Sequence, residues 1–501
     1  VGGQQGGDPN TCEGAAALKS YVGCDYWPTV VANAAWDIFD YAVIVANAGD
    51  SAAEITVTRG NQQVATAKVA PNSLEKIYLP WVNELKGGQA DNCGSPPALT
   101  KTVGVLSGAY HLVSTRPVTV YQFNALQYKG AGGPPGKSWA SCPGNTTCFS
   151  ALEPIGCFSF SNDASLLLPS TALTGNYRVT MPAGQPNPLT GGNGAYFTIT
   201  GTQDGTSVKV QLSPSGAIRA GAGIPATSAG GIFSFVLNKG DVVQVLSDPN
   251  TDPAGSLVQA SKPVQVIGGI SCANIPDTGT PACDHLEETV LPAETLGRRY
   301  LVAPPTGPKG NTPGHVVRMV GNVDGTKLTY KGQTPAGAPA TINAGQVVKL
   351  GLVKGAFEVE GDHEFIVSTF MPGAGLLDPD AKQEAKGDPS MSTATAVEQF
   401  RKKYVFLAPD DYDISYADVL APEGTSLTLD GQPVTVAPSP IQGTGYVVFR
   451  VKLGPGQGGA HQLEADKEVG LQVMGYGSYT SYQYPGGSNL TLIAPPPPDI
   501  N

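Results

Sequence analysis

The chain has 501 residues, of which 41% are hydrophobic and only 14% charged, with a formal net charge of -11. Such a length exceeds one ordinary core and points to roughly three or four domains. The acidic balance disfavours nucleic acid and anionic membranes as partners, because both require a basic surface. There is also no apolar run of about eighteen residues that could span a bilayer as a helix.

The first segment, VGGQQGGDPN over residues 1–10, reads as a flexible leader. Residues 11–160 read as a first β module with Cys-rich insertions, 161–283 as a second, 284–387 as a third and 388–494 as a fourth. Residues 495–501 form a Pro-rich tail, and both ends read as tethers. The division rests on an internal repeat. A strand with an aromatic start recurs as YAVIVANAG from Tyr41, YRVTMPAG from Tyr177, YLVAPPTG from Tyr300 and YVFLAPDD from Tyr404. A turn follows, GTQDGTSVKV from Gly201, GNVDGTKLTY from Gly321 and APEGTSLTL from Ala421. Asp-Gly or Glu-Gly between alternating apolar residues is a tight-turn signal. Each module closes on paired short strands, such as GSLVQASKPVQVIGG from Gly255 and GAFEVEGDHEFIVSTF from Gly355. An Asp stands a similar distance ahead of each aromatic start, at Asp25, Asp163, Asp284 and Asp388. Its expected role is a turn that sets the chain before a strand. The fold class is therefore all-β, as about four tandem β-sandwich-like modules. The alternative is a four-unit ring or propeller-like arrangement.

Eight cysteines stand at Cys12, Cys24, Cys93, Cys142, Cys148, Cys157, Cys272 and Cys283. There is no Cys-x-x-Cys, so disulfides in an oxidising compartment fit better than a zinc or redox motif. Cys24 and Cys283 each precede the recurring Asp, and Cys12 and Cys272 lie a similar distance before them. The same loop is expected to be stapled twice, Cys12–Cys24 and Cys272–Cys283. Cys93–Cys142 and Cys148–Cys157 are expected for the remainder. Each short loop is worth about 3 kcal/mol in the chain-entropy account.

Enzyme signatures are missing. The sequence has no Gly-x-Ser-x-Gly elbow, His-Glu-x-x-His pair or phosphate-binding loop. Its five histidines are scattered. The densest polar patch is CDHLEE, where Asp284, His285, Glu287 and Glu288 are candidates for cation binding or acid–base work, against the plainer reading of an acidic connector. Asp248, Asn250 and Asp252 offer oxygen ligands at calcium-like spacing but lack the rest of a calcium loop. No cofactor is expected beyond that weak calcium signal. Trp139 lies in the Gly/Pro-rich insertion and is a candidate contact residue together with His285.

Three stretches then carry a resemblance. CDHLEETVLPAETLGRRYLV from Cys283, GSLVQASKPVQVIGGISC from Gly255 and SLLLPSTALTGNYRVT from Ser165 resemble the IgGFc-binding protein N-terminal domain, most firmly from about residue 160 to 375. SYVGCDYWPTV near the start and QVMGYGSYTSYQYPGG near the end look like bacterial, myxobacterial-type members of that family, which often follow a lipoprotein signal. The resemblance implies an extracellular, disulfide-bonded, non-enzymatic protein, secreted or anchored at an outer membrane. It implies adhesion or binding to a protein or glycan at a cell surface. Alternatives are a structural homopolymer joined through sheet edges, and a polysaccharide hydrolase with paired carboxylates.

Overall fold

A computed structural model describes residues 9–501 except 89–98, 128, 151–152, 155, 157–158, 160–161, 188–190, 282, 382–384, 410–411 and 454–458. Most of the leader, and Cys93 and Cys157, lie outside the described residues. Among the described residues strands account for 47% and helix for 7%, so the packing is sheet on sheet.

Four units repeat one two-sheet plan. In the second unit, one sheet runs Asn176–Arg178, Leu257–Ala260, Thr206–Gln211, Ile232–Leu237. The facing sheet runs Asp284–Thr289, Val264–Ala273, Ala195–Gly201, Val242–Leu246. The third unit repeats this with Arg299–Val302, Phe357–Gly361, Thr326–Gly332, Thr341–Ile342 against Ser390–Thr393, Phe365–Met371, His315–Gly321, Val347–Val353. In the first and fourth units a single long strand serves both sheets. Tyr110–Asn124 pairs with Ala53–Arg59 through its first half and with Tyr41–Asn47 through its second. Gly459–Gly477 does the same with Arg401–Ala408 and Ile414–Pro422.

The four units form a propeller-like ring. One strand from each unit, Ala164–Leu166, Asp284–Thr289, Ser390–Thr393 and Thr480–Pro485, packs against the next to make a closed cycle about a central axis. The two alternatives open in the sequence are thus both present: sandwiches, arranged as a ring. The arrangement explains the strand composition. Strands of the sheets nearer the axis, such as Tyr41–Asn47, Ala195–Gly201 and Phe365–Met371, are buried along their whole length. They are covered on both faces and read as continuous apolar runs. Strands farther out, such as Thr206–Gln211, alternate buried and exposed.

One hydrogen bond recurs in all four units. The hydroxyl of a buried tyrosine donates to a main-chain oxygen where the chain crosses between sheets. The pairs are Tyr26 to Val118 (2.6 Å), Tyr177 to Val264 (2.5 Å), Tyr300 to Phe365 (2.6 Å) and Tyr404 to Val469 (2.5 Å). Burial holds each phenol above its usual pKa, hence neutral and able to donate. The first unit therefore departs from the register expected from sequence. Tyr26, not Tyr41, is the counterpart of Tyr177, Tyr300 and Tyr404. Tyr41 begins a strand of the inner sheet, and its hydroxyl meets Gln122 Oε1 at 2.9 Å. Both kinds of strand begin with an aromatic and run apolar, so the pattern alone does not tell them apart. The turn threonines also repeat. Thr206, Thr326 and Thr425 hydroxyls donate back to the oxygens of Gln203, Val323 and Pro422 at 2.7, 2.8 and 2.6 Å. The preceding Gly205, Gly325 and Gly424 take φ of 63°, 69° and 69°, the left-handed region that favours glycine.

Several further junctions cross unit boundaries. Val103–Val105, from the insertion of the first unit, adds an edge strand to Val242–Leu246 of the second. The ring closes where Leu490 N–H donates to the Lys19 oxygen (3.0 Å) and Tyr21 N–H to that of Ser488 (3.3 Å). The Pro-rich end is docked on the ring. Ile493 and Ala494 N–H reach the Glu294 oxygen at 2.8 and 3.0 Å, and Ile500 N–H reaches Gln259 Oε1 at 2.6 Å. Disulfides join Cys12 to Cys24 and Cys272 to Cys283. Cys142 and Cys148 are also disulfide-bonded; the pairings expected for them involve Cys93 and Cys157, outside the described residues.

Replacing Tyr300 by Phe leaves the Phe365 oxygen buried and unpaired. A loss of about 1–3 kcal/mol is expected, measured as a lower urea midpoint at unchanged m-value.

Candidate functional site

The ring axis gathers most of the acidic residues singled out in the sequence. Asp163, Asp284, Glu287, Glu288 and Asp388 are all buried there or beside it. Asp163 Oδ1 accepts from Ala164 N–H (3.0 Å), and its Oδ2 accepts from the N–H groups of Glu287 (3.2 Å) and Met391 (3.0 Å). One carboxyl thereby ties three axial strands together. The fourth is tied by Asn162 Oδ1, which accepts from the Thr480 hydroxyl at 3.1 Å. Ser481 Oγ adds to this, accepting from Asp388 N–H (3.1 Å) and donating to the Asp388 oxygen. Glu287 Oε2 accepts from Gln122 (3.2 Å) and Asn124 (2.8 Å) and lies 3.8 Å from His285 Nε2.

Electrostatics follow from burial. Loss of water pushes the Asp163, Asp284, Glu288 and Asp388 carboxyls well above the usual range; the Asp388 charge adds to the effect at Asp284, and the Asp163 charge to that at Glu288. Asp284 Oδ2, Glu288 Oε2 and both His285 ring nitrogens make no hydrogen bond. Among the described residues, no group of three or more His, Cys, Asp or Glu side chains is placed to hold a metal ion. Asp284, Glu287, Glu288 and His285 therefore belong to a sealed polar centre that a ligand at the surface does not reach. The recurring Asp also divides. Asp163, Asp284 and Asp388 stand at the heads of axial strands, whereas Asp25 lies in an outer strand, bonded to His111 Nε2 at 2.7 Å and to the Ser170 hydroxyl.

The other expected site residues lie apart. Asp248 pairs with Arg219 at 3.0 Å, Asp252 pairs with Arg318, and Asn250 is exposed in the turn between them. Cations of the protein occupy both carboxylates. Trp139 is only 5% exposed. Its indole N–H donates to Asp40 Oδ2 at 2.8 Å, and its ring meets Tyr78 edge-on at 5.7 Å. It fills the base of its insertion, so its ring face is unavailable as a contact surface.

Among the described residues, one feature shaped for contact is a groove at the seam between the first and fourth units. Two adjoining cavities, about 250 and 380 Å3, share Asn47 and Ala48 as a common wall. That wall is rigid. Asn47 Nδ2 donates to the oxygens of Ser51, Val69 and Ala70 at 2.9, 3.1 and 3.2 Å, and its Oδ1 accepts from Gly49 N–H at 3.0 Å. Opposite, His461 Nδ1 and Asp430 Oδ2 are 2.7 Å apart, and Asp430 Oδ1 accepts from Gln462 N–H at 2.8 Å. Arg116, Lys403 and Asp50 rim the larger cavity. The floor of the smaller one carries Val405 and Ala460 beside His461, with no Ser, Thr or Cys in its lining. Preformed loops around an apolar floor with a few fixed polar groups suit recognition. Nothing read from the sequence singles out either side, the Asp430–Gly431 turn included. The apposition of that turn to Asn47 joins residues far apart in the chain.

Comparison with known proteins bears on this arrangement. The profile of a family described as IgGFc binding protein matches residues 163–475. The human (Homo sapiens) protein named IgGFc-binding protein is 26% identical over 339 residues, which cover 67% of this chain and 6% of the relative. The chain thus spans a small part of that relative's length. Among solved structures, an anti-sigma factor domain-containing protein aligns with TM-score 0.12 at 9% identity, over 66% of this chain and 93% of that one. A GH78 family rhamnosidase of Bacillus sp. GL1 aligns with TM-score 0.12 at 8% identity, over 93% of this chain and 55% of that one.

The buried acids make a pH prediction with a definite sign. Glu288 titrates in the unfolded chain near 4.5 and higher in the folded one. Its contribution is complete below 4.5 and is lost as pH rises through the folded pKa, because the unfolded chain releases that proton first. The stability of Glu288→Gln relative to wild type should therefore increase with pH above 4.5. Urea midpoints of both proteins between pH 4 and pH 8 measure this; a constant difference would mean that folding does not raise the Glu288 pKa.

Proposed function

The chain belongs to the IgGFc-binding protein family, and from that membership we propose that it is an extracellular protein-binding module that engages its partner at the groove between its first and fourth units. The single observation that carries the choice of site is the rigid Asn47 wall facing the Asp430–His461 pair across an open groove. An extracellular setting is supported by the family and by the disulfides. Adhesion at a cell surface is the role we assign to the binding. The family contains a relative named for immunoglobulin Fc, so Fc is the first protein to test.

The groove suits a protein loop better than a flat partner surface. Its combined space takes a few side chains, and the Arg116, Lys403 and Asp50 rim offers both signs of charge. Rim charges steer encounter and the apolar floor holds the anchor. Ala48 forms the wall shared by both cavities, so Ala48→Arg fills the groove without touching the core.

Biolayer interferometry with immobilised Fc fragment reads the test directly. Saturable binding weakened at least tenfold in Ala48→Arg, about 1.4 kcal/mol, is the expected result. Fc binding that Ala48→Arg leaves unchanged would remove the groove from the reading.

A further inference from the structure

The outermost strand of the outer sheet differs among the four units. In three of them it is guarded. Gln62–Val69 of the first unit starts with two glutamines and carries Lys68, paired with Glu54 at 3.2 Å. Its counterpart in the third unit, Thr341–Ile342, is two residues long. So is Gln432–Pro433 in the fourth, which also carries a proline. Shortness, proline and lysine are the usual means of keeping a sheet edge from pairing with another chain. The second unit has none of them. Its edge strand Ile232–Leu237 is six residues long, pairs only with Thr206–Gln211, and makes no other main-chain hydrogen bond among the described residues. Ile232 and Val236 are 41% and 63% exposed on its outer face. Phe235 is half-buried at the rim of the core, stacked with Phe233 at 6.2 Å.

We infer that Ile232–Leu237 pairs with the same strand of a second copy of this chain, antiparallel and about a two-fold axis through Ser234. The sequence IFSFV is self-complementary in that register. Ser234 faces Ser234 of the second copy, Ile232 faces Val236, and Phe233 faces Phe235. Exposed side chains meet exposed ones and core-facing ones meet core-facing ones, as the two-residue period requires. The aliphatic and aromatic cross-strand pairs are stabilising ones. The two four-stranded sheets become one continuous sheet, and the rim at Phe235 is covered. Charge selects this place as well. The chain carries a net charge of -11, yet residues 220–238 contain no charged side chain. Two copies approach there without like charges facing each other. A single strand pair buries less than a standard interface, so the dimer is a concentration-dependent one, with a dissociation constant on the order of 10 µM. The edge lies on the second unit, away from the groove between the first and fourth, so either reading can fail without the other.

Sedimentation velocity of the full chain from about 1 to 200 µM tests the dimer. The expected result is a shift from the 51.5 kDa monomer to twice that mass. Val236→Lys should weaken the dimer at least tenfold. Leu106→Lys, at another exposed apolar residue (82% exposed), should leave it unchanged. Ser234→Cys, which alters the residue on the two-fold axis, should give a disulfide-linked dimer on mild oxidation, whereas Ile232→Cys should not. A monomer at every concentration would overturn the proposal. So would a dimer unaffected by Val236→Lys, or one equally weakened by Leu106→Lys.

Discussion

Everything else in the molecule depends on four strands meeting around one line. Each sandwich ends, on its inner side, in a short strand whose far edge would otherwise be bare. Packing these four strands together covers those edges and buries both faces of every inner sheet at once. The Asp163 carboxyl is central to that contact. It accepts hydrogen bonds from the main chain of three axial strands, including that of Met391, 228 residues away in sequence. Remove that convergence and the inner sheets, apolar on both faces, have nothing to cover them.

A ring centre built from carboxyls is costly unless they stay neutral or are fully hydrogen-bonded. The fold uses both routes. Asp163 has main-chain donors on both oxygens, whereas Glu287 is bonded by two side-chain amides through Oε2 alone, with its Oε1 buried and unbonded. Burial raises the pKa of Asp284, Glu288 and Asp388, which favours their protonated forms. The acidic connector that looked most like chemistry in the sequence thus serves the architecture. Its side chains face inward because their strand is axial, not because a ligand reaches them.

The surfaces proposed for recognition lie at the periphery, where units meet or where their edges differ. The seam groove exists because the first and fourth units come from opposite ends of the chain and close the ring. The Tyr21 hydroxyl accepts from Val405 N–H at 3.2 Å at that closure, and the Tyr121 hydroxyl donates to the Val405 oxygen at 3.1 Å. The edge at Ile232–Leu237 stands out only by comparison with its three counterparts. In a ring of near-equivalent units, specialisation appears as the one place where a shared safeguard is missing.

Local periodicity determined much of this protein. The all-β class, about four repeats, the Asp-Gly-Thr turns and the short stapled loops are legible because each depends on residues close together in the chain. Strand alternation even separates outer sheets from inner ones, once the two are known to exist. What the tertiary structure decided depends on contacts between distant residues. It placed Tyr26 rather than Tyr41 at the repeated hydroxyl bond, since only the crossing at Val118 distinguishes the two aromatic-led strands. It turned Trp139 inward onto Asp40 and Tyr78. It set Asp284 and Asp388 at one axis and left Asp25 outside, although all share a sequence pattern. Sequence spacing records which residues begin a strand; which face meets the axis follows only from how four sandwiches close on one another.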